Sequence, residues 1–152
     1  MPIATIVLAV LTLVPRQAER ALYGYGIVIG PPGSGGHEPL TRQLTGDLLE
    51  LRCGLPTYLA QPFAGLLERA GAVSAVLVAS SVTAGAQVGE QLNAIVCPLD
   101  SASDLRGRFL LGTGLRAPDG VVYAIAWGRA FGGGPFKATR LRAVVTAPVP
   151  AR

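Results

Sequence analysis

Apolar and polar positions alternate in two different ways along this chain. Residues 3–14 are an unbroken run of twelve apolar or Thr positions. That length suits a buried strand and falls short of a membrane span, which takes about 20 residues. After a turn at residues 15–19, residues 21–30 (ALYGYGIVIG) read as a second strand, with Tyr23 and Tyr25 on one face. Residues 31–37 are almost wholly Gly, Pro and Ser and predict a loop.

The period then changes. Residues 39–53 predict a helix, because Leu40, Leu44, Leu48 and Leu51 recur at helical spacing. Pro39 suits its first position, and Gly54 and Pro56 stop it. Gly46 weakens it by about 1 kcal/mol. A second short helix is expected over residues ~60–70, with Pro62 in its first turn and Gly71 at its end. From residue 73 the pattern is strand-like: residues 73–82, 91–98, 105–116, 121–128 and 136–149. The third and fourth of these form a hairpin across Ala117-Pro118-Asp119-Gly120, where Pro presets φ and Gly accepts the left-handed residue. Val121, Tyr123, Ile125 and Trp127 alternate with Val122, Ala124 and Ala126, which predicts packing on both faces. The order gives an α+β fold dominated by antiparallel β-sheet, with two short helices in the middle, as a single domain over residues 1–152. An all-β sandwich or jelly-roll-like fold, with residues 39–70 as loops, is the alternative.

Composition narrows the chemistry. The 152 residues are 50% apolar and only 14% charged, with 20 Gly and 12 Pro. This excludes long disorder, a coiled coil, collagen and a helix bundle. One His and two Cys cannot build a zinc site of those ligands, and nine acidic residues leave little for oxygen-ligated metals. No metal or cofactor is expected. Cys53 and Cys97 form no CxxC pair and read as buried free thiols, with a disulfide as the alternative and the compartment open. The run at residues 3–14 has the length of a signal-peptide core. No basic residue precedes it and no small-x-small site follows, so a secretion signal is not expected.

Two stretches resemble catalytic motifs. Residues 26–37 (GIVIGPPGSGGH) resemble the start of a P-loop kinase: an apolar strand, a Gly-rich turn, then a helix. Gly30 and Gly35 match, but Gly36 stands in the Lys position and His37 in that of the magnesium-holding hydroxyl. Ser80-Ser81, after a strand preceded by Leu66-Leu67-Glu68-Arg69-Ala70-Gly71, is loosely similar to pyruvoyl-dependent decarboxylases, which cut themselves at a Ser. The acidic residues such a centre needs are missing from this stretch. A Ser-His-Asp triad would need His37, yet no Gly-x-Ser-x-Gly elbow exists. His37 reads as exposed and idle, and Asp100 and Asp104 as turn or capping residues. No catalytic, cofactor-binding or metal residue is therefore assigned, and the chain is not expected to be an enzyme.

Charge carries more. Residues 1–105 hold five basic and eight acidic side chains, whereas residues 106–152 hold eight basic ones and only Asp119. Arg106, Arg108, Lys137, Arg140 and Arg142 are the candidate interface residues, with Arg106 and Arg108 expected on one face of their strand and Arg140 and Arg142 on one face of theirs. Arg suits interfaces with carboxylates. A nucleic-acid surface is a second reading, against which the lack of any nucleic-acid motif counts. A third is a solvated face with no partner. The nearby aromatics (Phe109, Tyr123, Trp127, Phe131, Phe136) have spacings that fit core packing. The low charged fraction points to a surface covered by other subunits. The expectation is a non-enzymatic structural subunit that self-associates, or joins other subunits of a large assembly, through its apolar N-terminal strand and Arg-rich C-terminal strands. A small virion component, such as a phage shell, decoration or connector protein, fits that description. A small oligomeric enzyme and a nucleic-acid-binding module are the alternatives.

Overall fold

The computed structural model describes residues 19–33, 35–102, 105, 107–130 and 139–150, with backbone alone at 139–141. The strand expected over residues 3–14 lies outside these, as do Phe131 and Phe136. The elements in order are β1 (Glu19–Ile29), α1 (Pro39–Cys53), α2 (Thr57–Arg69), β2 (Val73–Thr83), β3 (Gln91–Pro98), β4 (Phe109–Arg116), β5 (Val122–Arg129) and β6 (Thr139–Val145). The strands close into a barrel in the order β1-β2-β3-β6-β5-β4, and every pairing is antiparallel. The α+β expectation holds, and the sheet-sandwich alternative does not.

Alternation along each strand sorts side chains inward and outward. Leu22 and Val28 of β1, Val76, Val78 and Val82 of β2, and Ala94 and Val96 of β3 fill the inside. Leu110 and Leu115 of β4, Ala124 and Ala126 of β5, and Ala143 and Val145 of β6 complete it. Six strands enclose less room than the eight that just admit a packed interior, which accounts for the Ala and Val content. The tightest seam lies between β1 and β4. A methyl group at Gly24 would meet the Gly114 carbonyl, and one at Gly26 would meet the Thr113 hydroxyl. The register slips there, between Tyr23↔Arg116 and Val28↔Leu110.

The hairpin forms as expected. Ala117 N–H donates to the Val121 carbonyl and Gly120 N–H to that of Ala117, with Gly120 at φ 82°. Asp119 accepts from Val121 N–H at 2.8 Å and from the Tyr123 hydroxyl at 2.7 Å. These bonds hold the Asp119 carboxyl below its ordinary value and push the Tyr123 phenol above its own.

The helices lie on the outside of β1 and β2. Leu44 and Leu48 of α1 and Leu67 of α2 pack with Ile27, Val73 and Ala75. The first helix has the expected bounds, with Pro39 at its start and Gly54 left-handed (φ 67°) at its end. Its buried positions are Thr41, Thr45 and Gly46, so Leu40 and Leu51 face outward, at 43% and 81% exposure. The second helix begins at Thr57, three residues before the expected start, which carries Pro62 beyond the first turn into the helix interior.

Asp100 sets the helix rotation. It is buried, and its carboxylate accepts from Thr41 Oγ1 at 2.7 Å, Ser74 Oγ at 2.7 Å, Ala75 N–H at 2.8 Å and Ala102 N–H at 3.0 Å. The last bond is the turn role expected from sequence; the others join α1 and β2 to the loop after β3. Asp100→Asn turns an NH2 group towards donors on one side of the carboxylate. It should destabilise the fold by about 2–5 kcal/mol. A urea midpoint equal to that of the unmodified chain would contradict this role.

Candidate assembly surfaces

The Gly-rich loop is strapped to the start of β2. Gly30 N–H donates to the Ala72 carbonyl at 2.9 Å, Gly33 to Ala70 at 2.8 Å, Gly35 to Gly71 at 2.6 Å and Gly36 to Val73 at 3.0 Å. A phosphate cradle needs these N–H groups free. At Gly36, where a P-loop has its Lys, any Cβ would collide with the Asp100 carboxylate. The loop is thus neither a nucleotide site nor the loose connector its composition implies. His37 is exposed, as expected, and its Nδ1 lies 3.1 Å from the Glu68 carbonyl, near the end of α2. Glu38 accepts from Ser101 N–H at 2.9 Å and ties the head of α1 to the Asp100 loop.

The serine pair sits within β2 rather than at a strand exit. Ser80 is fully buried and donates to the Asn93 carbonyl at 2.7 Å. A hydroxyl engaged inside a packed barrel is a structural one. Among the described residues, no three His, Cys, Asp or Glu side chains come together as metal ligands, and no helix is long and apolar enough to cross a membrane.

Of the candidate interface residues, Arg142 is exposed on β6. Arg108 departs from the expectation. It precedes β4 instead of lying in it and is only 7% exposed, with its stem against Gly30. Arg106, Lys137 and the side chain of Arg140 lie outside the described residues.

Two apolar faces remain open. On α2, Leu59, Phe63 and Leu66 are 48%, 52% and 57% exposed, and Pro62 lies between them on the same face. The small residues Ala60, Ala64 and Gly65 are the buried ones. On the barrel's outer surface, Phe109 and Trp127 are each 47% exposed, whereas Tyr123 is buried. Packing on both faces of β5 is therefore partial: Ala124 and Ala126 pack inward and Tyr123 is buried, while Trp127 is left half exposed. Between the helices, Arg42, Gln61, Pro62, Gly65 and Arg69 line an open cavity of about 360 Å³.

The described residues bring together no metal-ligating cluster and leave large apolar side chains outside. A family profile for the flagellar P-ring protein matches residues 10–151. The chain belongs to the flagellar P-ring protein family.

It is similar to the flagellar P-ring protein of Cupriavidus pinatubonensis, 39% identical over 120 residues, which are 76% of this chain and 30% of that protein. Similarity extends to the flagellar P-ring protein of Sodalis glossinidius, at 37% over 122 residues (78% of this chain, 32% of that protein). For that of Pectobacterium carotovorum it is 35% over 149 residues (86% and 38%). The chain thus spans about a third of the length of these curated relatives. Membership in a flagellar family corrects the expectation of a phage virion or capsid component, and neither the small-enzyme nor the nucleic-acid alternative finds support.

The two thiols of this P-ring family member are free, as expected, but only Cys97 is buried; Cys53 is exposed. Burial pushes the Cys97 thiol up to about 11. At pH 8 a thiol reagent should modify Cys53 in the native protein and reach Cys97 only on unfolding. Two fast-reacting thiols in the native state would contradict the burial of Cys97.

Proposed function

We propose that this chain is a structural subunit of the flagellar ring for which its family is named, associating with copies of itself within the basal body. The observation that carries this reading is the family match across residues 10–151. The surface supports it: 14% charged residues, with large apolar side chains of α2 and β5 outside a closed barrel. Apolar surface of this kind normally marks a contact. The Arg-rich C-terminal segment contributes through Arg142, which is exposed on the outer face of β6. Arg106, Lys137 and Arg140 are proposed as further contact residues on charge alone; the buried Arg108 is not one.

Light scattering across protein concentration, at low and high NaCl, tests this reading. The mass should rise above 15.6 kDa with concentration. High salt should reduce it through loss of the Arg contacts. A species that stays at monomer mass at every concentration and salt would overturn the proposal.

A further inference from the structure

From the placement of the two open apolar faces we infer that the ring contact is head-to-tail, with the α2 face of one copy seated on the β5–β6 face of the next. This rests on the self-association proposed above and names the surfaces that carry it. On α2, Leu59, Pro62, Phe63 and Leu66 stand at i, i+3, i+4 and i+7, the spacing of a helix face that packs against something. In this subunit that face points to solvent: Ala60 and Ala64 are the buried positions of the helix, and Leu67 is the residue that packs with Ile27, Val73 and Ala75 of the barrel.

The second face lies across the barrel. In the closed order β1-β2-β3-β6-β5-β4, β6 stands opposite β1 and β5 opposite β2. The helices cover β1 and β2, so β5 and β6 form the far side. Ala126 and Ala143 are inward partners there. Trp127 and Arg142, the next residues along each strand, therefore turn outward together, and both are exposed.

Two different sticky faces on opposite sides of a subunit generate a ring or filament rather than a two-fold dimer. Charge favours the same arrangement. Strands β5 and β6 carry Arg129, Arg140 and Arg142 and no carboxylate, so two such faces repel each other. The helical hairpin balances Arg42, Arg52 and Arg69 against Asp47, Glu50 and Glu68, and offers the sheet face a neutral partner.

Two variants, Leu66→Asp and Trp127→Asp, separate the alternatives, because both positions are half exposed and outside the core. Circular dichroism confirms that each folds. Each alone should associate on the order of 30-fold more weakly than the unmodified chain. An equimolar mixture, in which each variant keeps one intact face, should form dimers and nothing larger. In a Cys53→Ser background, Leu66→Cys with Trp127→Cys should give disulfide-linked ladders of the chain, which does not depend on a destabilising charge. If Trp127→Asp associates normally while Leu66→Asp does not, α2 pairs with itself and the inference fails. If both associate like the unmodified chain, the inference fails and the ring reading stands. An unmodified chain that never associates overturns the ring reading itself.

Discussion

The buried Asp100 carboxylate is the constraint on which the arrangement turns. An anion out of water must be met by donors, and four converge on it from α1, the start of β2 and the loop after β3. Thr41 must face inward to supply one of them, which fixes the rotation of α1. Leu44 and Leu48 then pack on the barrel, while Leu40 and Leu51 point away. Gly36 must lack a side chain because the carboxylate occupies that space. A loop that looks built for phosphate is thereby committed to holding the barrel to its helices.

The barrel imposes the second constraint. Its interior accepts Ala and Val, and at the β1–β4 seam only Gly24 and Gly26 fit. Leu22, Leu110 and Leu115 also fit inside, whereas the aromatic Phe109 and Trp127 on the same strands stand half exposed. Trp127 beside Ala126, and Phe63 beside Ala64, show the same division on a strand and on a helix. A subunit that leaves side chains as large as Trp127, Phe109 and Phe63 half exposed is well suited to packing against neighbours.

Much of the local structure was legible in the sequence, because local signals decide it. Pro118-Asp119-Gly120 specifies its turn within four residues, and Pro39 and Gly54 bracket α1. Barrel closure was not legible: it pairs Tyr23 with Arg116, and no local pattern encodes so distant a contact. The orientation of α2 was hidden for another reason. Leu59, Phe63 and Leu66 and the set Ala60, Ala64 and Leu67 are both apolar at helical spacing, and only the tertiary fold selects which turns inward. The Arg count marked the C-terminal segment as a surface, yet Arg108 is buried, because it lies against a glycine that its own strand context does not reveal. The flagellar family left no chemical motif to read, since a structural subunit expresses its role through shape and packing.

Association should cover the faces that the barrel leaves open, and Trp127 reports on this directly. It is the single Trp of the chain and is 47% exposed in the isolated subunit. Its emission and its quenching by acrylamide should be followed as concentration carries the protein through association. A blue shift and reduced quenching should appear in step with the rise in mass. A rise in mass with both signals unchanged would place the contact away from Trp127 and contradict the covering of this face.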